Sequence, residues 1–224
     1  MIVSTLPAAA IFDMDGVLVD SNPFHLQKWM ALLKDNNIPY NPDELPEQIL
    51  GKRNDDAFRL FFGPKLTREE AHELSEKLEE RFRAAFGPHA RPLPGLEKLI
   101  RELEAAGIPM AVASSAMRPN IEFVVDALAF RRFFRVLVSG DDVRYPKPHP
   151  EIYLKTAHEL GLNPAACVAF EDSFPGIGAA RAAGMKCVAI ASTFPLEDLR
   201  ACADLTVPSF EDISLEKLRQ LFVR

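Results

Sequence analysis

The sequence predicts an α/β fold: a Rossmann-like, doubly wound parallel sheet with a helical bundle inserted after its first strand. Three observations carry that prediction. From about residue 95 onward, short apolar runs alternate with longer segments of helical spacing, the pattern of βαβ units. One more strand stands alone near the start. Between it and the rest, residues 20–89 show helical periodicity and no convincing strand.

The isolated strand is Ala9 to Phe12, four apolar residues that run straight into a cluster of polar ones. In the insertion, Pro23 to Asn36 and Thr67 to Phe86 each predict an amphipathic helix. Phe24, Leu26, Trp29, Leu32 and Leu33 recur at three and four spacing in the first, and Ala71, Leu74, Leu78, Phe82 and Phe86 in the second. Asp20 and the proline-rich stretch Pro88 to Pro94 bound this segment. Its two ends must lie close together, so it can act as a lid over the end of the first strand. The expected domains are therefore residues 1–19 with 90–224 as the α/β core, and residues 20–89 as a helical cap. In the core, the predicted strands are Pro109 to Ala113, Val136 to Val138, Cys167 to Phe170, Cys187 to Ile190 and Leu205 to Val207. The predicted helices are Gly95 to Ala106, Pro119 to Leu128, Pro150 to Leu160 and Gly176 to Ala183. Gly107, Gly161 and Gly184 stand where a helix stop needs a left-handed residue.

Composition narrows the function classes. With 48% apolar and 26% charged residues, the chain is a globular protein and neither disordered nor of low complexity. A net charge of -6 argues against a nucleic-acid partner, which needs a basic face. No apolar run reaches the roughly 20 residues that cross a bilayer, and Met1 to Pro7 lack the basic start of a secretory signal. A cytoplasmic, monomeric protein with no membrane partner is expected. Cys167, Cys187 and Cys202 are odd in number and lie in apolar segments, so buried thiols are expected in place of disulfides or a zinc site.

The segment Asp13-Met14-Asp15-Gly16 carries the most chemistry. An apolar strand delivers two carboxylates at i and i+2, the spacing that points both to one side of an extended chain, and Gly16 lets the backbone turn away. Such a pair can divide its labour, one carboxylate attacking while the other moves a proton. Two aspartates before a turn are also a common surface feature. What distinguishes these is their company. Ser114-Ser115 follow one predicted strand and Glu171-Asp172 another, while Lys147 lies between prolines in the loop after a third. Ligands of an open parallel sheet bind outside the carboxyl ends of its strands, so these groups converge on one crevice. Asp13, Asp15, Glu171 and Asp172 cannot crowd there alone, because two unit charges about 4 Å apart repel by roughly 4 kcal/mol even at an effective dielectric of 20. A cation is required, and an all-oxygen ligand set open to water and phosphate suits Mg²⁺ over Ca²⁺. With Lys147 it would neutralise a transferring phosphoryl group. The neighbouring carboxylates are expected to raise the pKa of Asp15 and the metal to oppose that rise.

The motifs Asp13-Met14-Asp15-Gly16-Val17-Leu18-Val19-Asp20-Ser21, Ser114-Ser115, Lys147-Pro148-His149-Pro150 and Phe170-Glu171-Asp172-Ser173 together resemble the haloacid dehalogenase-like (HAD) superfamily of phosphotransferases. Within it they resemble the capped branch that holds β-phosphoglucomutase and many small-molecule phosphatases. Gly176-Ile177 and Ala182-Ala183-Gly184 extend the likeness, which runs from Ile11 to about Ile190. The resemblance implies that Asp13 is the nucleophile, Asp15 the general acid/base, Ser114 a ligand of phosphate oxygens and Lys147 the neutralising cation. Asp172 would bind Mg²⁺ alongside Asp13 and the Asp15 carbonyl, with Glu171 acting directly or through a water. Haloacid dehalogenases lack the second aspartate, and phosphonate hydrolases need a cap lysine for a Schiff base; neither pattern is met.

In the cap, His25 and Trp29 share a helix face, and the resemblance places the histidine in a hinge-side relay. Ser115, Arg53, Asn54 and Lys77 are the remaining candidates for substrate contact. If Gly51 is aligned, the arginine of the mutase pattern falls on Asn54, and the cap lysine falls on Leu78 with Lys77 beside it; Asn22 replaces a common glutamate. The expected function is a Mg²⁺-dependent phosphatase that hydrolyses a small phosphate ester, a sugar phosphate, through an aspartyl phosphate. The alternatives are β-phosphoglucomutase-type transfer between sugar positions and, more remotely, a non-catalytic phosphate-sensing domain, which would be expected to have lost one of Asp13, Asp15, Lys147 or Asp172.

Overall fold

The computed structural model describes residues 6–63 and 66–223, so most of Met1 to Pro7 lies outside the described residues. Strands β1 (Ala9–Phe12), β2 (Met110–Ala113), β3 (Phe134–Val138), β4 (Cys167–Glu171), β5 (Lys186–Ile190) and β6 (Leu205–Val207) form one sheet in the order β3-β2-β1-β4-β5-β6. Every pairing is parallel. Strand order reverses at β1, which is hydrogen-bonded to β2 on one side and β4 on the other. That is the switch point at which ligands of such sheets bind.

Alternation along the strands sorts the side chains into two cores. Ala10, Phe12, Met110, Val112, Val168, Phe170, Val188 and Ile190 face one layer of helices, α5 (Leu96–Ala105), α6 (Arg118–Ala127) and α10 (Leu215–Gln220). Ala9, Ile11, Ala111, Ala113, Cys167, Ala169, Cys187 and Ala189 face the other, α7 (Glu151–Leu160), α8 (Phe174–Ala182) and α9 (Leu196–Leu199). The second face is almost all small residues, which lets α7 pack on β2 and β3 and α8 on β4 and β5. Aromatic side chains fill the first face: Phe12 stacks on Phe170 with ring centroids 4.6 Å apart and meets Phe134 edge-on at 6.0 Å. Cys167 and Cys187 are buried and Cys202 is half-buried, all three as free thiols, and burial pushes the Cys167 thiol up to about 11.

Between β1 and α5 the chain forms α1 (Asn22–Asp35), α2 (Leu45–Ile49), α3 (Asn54–Phe62) and α4 (Arg68–Phe86), which share an apolar cluster of their own. Trp29, Leu33, Phe58 and Leu78 lie at its centre. The periodicity predicts α1 and α4 closely but gives no account of α2 and α3. Helix α2 is too short to show a period, and α3 opens on Asn54-Asp55-Asp56, polar residues that read as a turn before its apolar face Ala57, Phe58, Phe61 and Phe62. Thr67 and Glu70 close a capping box at the start of α4. Helix α8 starts two residues earlier than predicted, because Ser173 Oγ accepts from Gly176 N and caps it. Gly107, Gly161 and Gly184 adopt φ of 70°, 72° and 81° at helix ends, as predicted. Among the described residues no helix is long and apolar enough to cross a membrane.

Because Phe12 anchors three other rings immediately before the polar end of β1, Phe12→Ala is expected to destabilise the protein by about 3–5 kcal/mol. Chemical denaturation would show it as a lower midpoint at an unchanged m-value.

Candidate active site

The hydrogen-bond ladder of the sheet runs one residue past β1, with Asp13 N donating to Phe170 O at 3.0 Å. This holds the Asp13 carboxylate at the carboxyl end of the sheet, where it is 5% exposed. Lys147 is buried against it. Its Nζ donates to Asp13 Oδ1 at 2.8 Å, to Glu171 Oε1 at 2.6 Å and to Ala113 O at 3.1 Å, which uses all three ammonium protons. Burial pushes the Lys147 ammonium down, but the Asp13 and Glu171 charges outweigh burial and hold it above its ordinary value.

Asp172 enters from the end of β4. Its Oδ2 accepts from Thr193 Oγ1 and from Asn22 Nδ2, the latter at 3.2 Å. The turn after Asp15 passes so close that a Cβ on Gly16 would lie 1.9 Å from Asp172 Oδ2, and Gly16 takes a φ of 77°. Only glycine fits there. Oxygens of Asp13, Glu171 and Asp172 lie within 4.8 Å of one another. Burial, opposed by Lys147 and reinforced by Glu171, pushes the Asp13 carboxyl up to about 7. Burial with the charges of Asp13 and Glu171 pushes Asp172 well above its usual range. Three buried carboxylates face one ammonium, and that excess of negative charge together with an all-oxygen donor set suits a hard divalent cation. Glu171 is the least free of the three. Its Oε1 accepts from Lys147 and from Tyr153 at 2.6 Å, and its Oε2 accepts from Asp172 N and Ser173 Oγ, both at 3.3 Å. These bonds orient Glu171 against Lys147, and its carboxylate lies with those of Asp13 and Asp172 in the candidate metal cluster.

Asp15 departs from expectation. Its Oδ1 accepts from Ser21 Oγ at 2.5 Å and lies 3.0 Å from His25 Nε2. Burial pushes its carboxyl up, but His25, Ser21 and, from further away, Lys28 outweigh burial and hold it below its ordinary value. The neighbouring carboxylates do not set it, because α1 brings a histidine and a lysine to its side.

Asp13, Asp15, Ser114 and Ser115 open onto a cavity of about 530 Å³ roofed by the inserted helices. Ser114 is buried and accepts from Ala116 N at 3.2 Å. Ser115 Oγ donates to Gly51 O at 3.0 Å, tying the loop after β2 to the turn before α3. Of the cap candidates, His25, Arg53 and Asn54 line the cavity. Arg53 Nη1 reaches Val143 O at 3.4 Å, while its Nε is buried without a hydrogen bond. Contrary to expectation, Lys77 does not belong to the lining. It is 70% exposed and faces Glu73 at 3.9 Å, whereas His72, Ser75, Glu76 and Glu79 line the cavity. Those four recur at helical spacing, and residue 77 lies on another face of the same helix. Leu78 is in the apolar cluster of the cap.

Several contributors escaped the sequence reading. Ser192 Oγ donates to Gly16 O, and Thr193 braces Asp172, both just beyond β5. The strand-end rule that singled out the loops after β1, β2 and β4 applies to β5 equally. Tyr153, Lys28 and Glu79 lie on helices and carry no such signal, and Ser21 closes the first motif without its bond to Asp15 following from that.

A model of the haloacid dehalogenase-like hydrolase family matches residues 10–190. The chain is 32% identical over 95% of its length to a 5-amino-6-(5-phospho-D-ribitylamino)uracil phosphatase from Arabidopsis thaliana, of which it spans 57%. It is 30% identical over 95% of its length to the β-phosphoglucomutase of Bacillus subtilis, of which it spans 94%. Among solved structures, a family IA HAD hydrolase from Entamoeba histolytica superposes with a TM-score of 0.86 at 25% identity, covering 96% of this chain and 98% of that one.

Lys147→Met is expected to leave two buried carboxylates unpaired and so to cost about 3–5 kcal/mol of stability. Urea unfolding at neutral pH checks it, and a loss below 1 kcal/mol, taken as about the level of an exposed pair, would contradict the burial argued here.

Proposed function

The chain belongs to the haloacid dehalogenase-like hydrolases, and from that premise we propose that it is a Mg²⁺-dependent phosphatase of a small phosphate ester, acting through an aspartyl phosphate. One observation carries the reading: the Asp13 carboxylate stands at the switch point of the sheet, bonded through Oδ1 to Lys147 and open to a cavity that Asp15 also lines. Asp13 is the nucleophile, and its oxygen forms a bond to phosphorus as the ester oxygen leaves. Asp15, which must first take up a proton against the pull of His25, gives it to the departing alkoxide. It then takes a proton from the water that attacks the aspartyl phosphate, releasing inorganic phosphate and restoring Asp13. Lys147 holds Asp13 in place and offsets its charge, and Ser114, with Ser115 beside it, bounds the phosphoryl position. Asp13, Asp172 and the Asp15 backbone carbonyl would hold Mg²⁺, which when bound neutralises charge on the phosphoryl oxygens. Residues 20–89 act as a cap over the core formed by residues 1–19 and 90–224. His25, stacked on Phe82 with centroids 4.1 Å apart, keeps Asp15 oriented while the cap is in place.

A mutase reading has one observation in its favour, since Lys52 and Arg53 line the cavity and could receive a second phosphate. Hydrolysis is favoured because Lys77 lies outside the cavity and Asn54 spends its amide protons on Ser75 and Glu79. A weaker grip on a distal phosphate leaves the aspartyl phosphate to water. A non-catalytic sensor is disfavoured by the presence of Asp13, Asp15, Lys147 and Asp172 in one cluster.

Asp13→Asn is expected to leave the circular dichroism spectrum unchanged and to abolish phosphate release in a screen of phosphorylated metabolites with Mg²⁺. Retention of more than a few per cent of wild-type turnover would reassign the nucleophile. Exhaustive chelation is expected to stop turnover and added Mg²⁺ to restore it, with Ca²⁺ inhibiting because it tolerates extra carboxylate ligands. Supplied with β-glucose 1-phosphate and a trace of glucose 1,6-bisphosphate, the enzyme is expected to release inorganic phosphate faster than it forms glucose 6-phosphate; the reverse outcome promotes the mutase reading.

A further inference from the structure

The cap end of the cavity holds a second polar cluster that phosphoryl transfer does not use. Glu79 on α4 is 3% exposed and lines the cavity. Its Oε1 accepts from Lys28 Nζ and from Asn54 Nδ2, the latter at 2.6 Å, and its Oε2 accepts from Asn120 Nδ2 at 2.7 Å. A carboxylate offers about four acceptor positions, so among the described residues one on Oε2 remains open. Burial pushes the Glu79 carboxyl up, but Lys28, His25 and the bond from Asn54 hold it below its ordinary value. The group presented to the cavity is therefore an anion with room for one more donor.

The cations near this end are turned elsewhere. Lys28 stands behind Glu79, its Nζ 5.0 Å from the centre of the Phe82 ring, and does not line the cavity. Arg83 gives Nη1 to Asn120 Oδ1 at 2.6 Å, and Arg118 gives Nη2 to Asp142 and to Leu137 O at 3.1 Å. Lys52 and Arg53 do line the cavity, but they follow Gly51, whose Cβ would lie 2.8 Å from Ser173 Oγ, next to Asp172. Arg53 turns to the loop after β3, its Nη1 3.4 Å from Val143 O. His25, which faces Asp15, and His72, on the Glu79 side of α4, are the remaining basic side chains in the lining.

We infer that Glu79 is a specificity-determining residue that accepts a hydroxyl from the far end of a polyhydroxylated monophosphate and rejects substrates bearing a second phosphate there. A hydroxyl supplies the missing donor. A phosphate brings acceptors and negative charge to a buried carboxylate, an arrangement that gains no bond and suffers repulsion. An alkyl tail leaves the open lone pair unmatched, which is how a polar site discriminates strongly against analogues lacking a hydroxyl. The inference rests on the phosphatase reading above.

The test measures kcat/KM for phosphate release from four probes: acetyl phosphate, n-hexyl phosphate, D-mannitol 1-phosphate and D-mannitol 1,6-bisphosphate. The two ends of mannitol are equivalent by symmetry, so the last two differ only in what the far end carries. Acetyl phosphate has no tail, and its failure to turn over in wild type would overturn the phosphatase reading and this inference with it. With acetyl phosphate turned over, mannitol 1-phosphate is expected to exceed both the bisphosphate and hexyl phosphate by roughly tenfold or more. Glu79→Gln is expected to shrink the margin over the bisphosphate by about the same factor. Because that variant leaves Lys28 buried and unpaired, Lys28→Met/Glu79→Gln, which removes both charges, is measured beside it. Wild-type margins within about twofold, or an undiminished margin over the bisphosphate in either folded variant, would overturn the inference while leaving the phosphatase reading standing.

Discussion

The rest of the site depends on the Lys147 ammonium. Its three protons go to the ends of β1, β2 and β4 through Asp13, Ala113 O and Glu171, and these are the three adjacent strands at the centre of the sheet. A charge buried this deeply is tolerable only with its donors matched, so the ammonium fixes where each partner stands. It also sets the electrostatic balance. One ammonium against Asp13, Glu171 and Asp172 leaves negative charge in excess in a buried place, and that excess is what a divalent cation and a phosphoryl group, taken together, can meet.

Close packing behind this cluster keeps it in register. A Cβ at Gly176 would lie 2.0 Å from the Glu171 carboxylate, and one at Gly16 would collide with Asp172. Tyr153, buried on α7, donates to Glu171, and burial with the Glu171 and Asp13 charges pushes its phenol well above its ordinary value, so it stays a neutral donor. The small residues on the α7 and α8 face of the sheet have the same consequence. They let α7 approach closely enough for Tyr153 to reach Glu171 from outside the cavity. Carboxylates anchored in this way lose little further freedom when a substrate arrives, which is the condition for productive attack.

The core of this arrangement was legible because it follows from rules of short range. Strand ends, a glycine after two aspartates and a lysine between prolines are visible in a single pass along the chain, and the parallel topology brings them together whatever the details. Cap contributions were legible only in part. Residues 72, 75, 76 and 79 share a helix face, but nothing in the sequence says which face of α4 turns to the cavity. That orientation is settled by packing, with Leu78 of α4 turned into the cap's own cluster beside Leu33 and Phe58. Placing Lys77 at the cavity required one residue's rotation that this packing forbids. The direction of the Asp15 shift was missed for a related reason: His25 and Lys28 act on it from a helix whose rotation the periodicity does not fix.

That same helix joins the two ends of the cavity. His25 and Lys28 stand one turn apart on α1, His25 against Asp15 and Lys28 against Glu79, with Phe82 of α4 under both. A rigid shift of α1 would therefore carry both side chains, since they share one helix and pack on one ring. Lys28 and Glu79 are both nearly buried, so the pair resists separation more than an exposed one would. On the inference drawn above, a substrate hydroxyl on Glu79 would meet the partner of Lys28, on the same helix that brings His25 to Asp15.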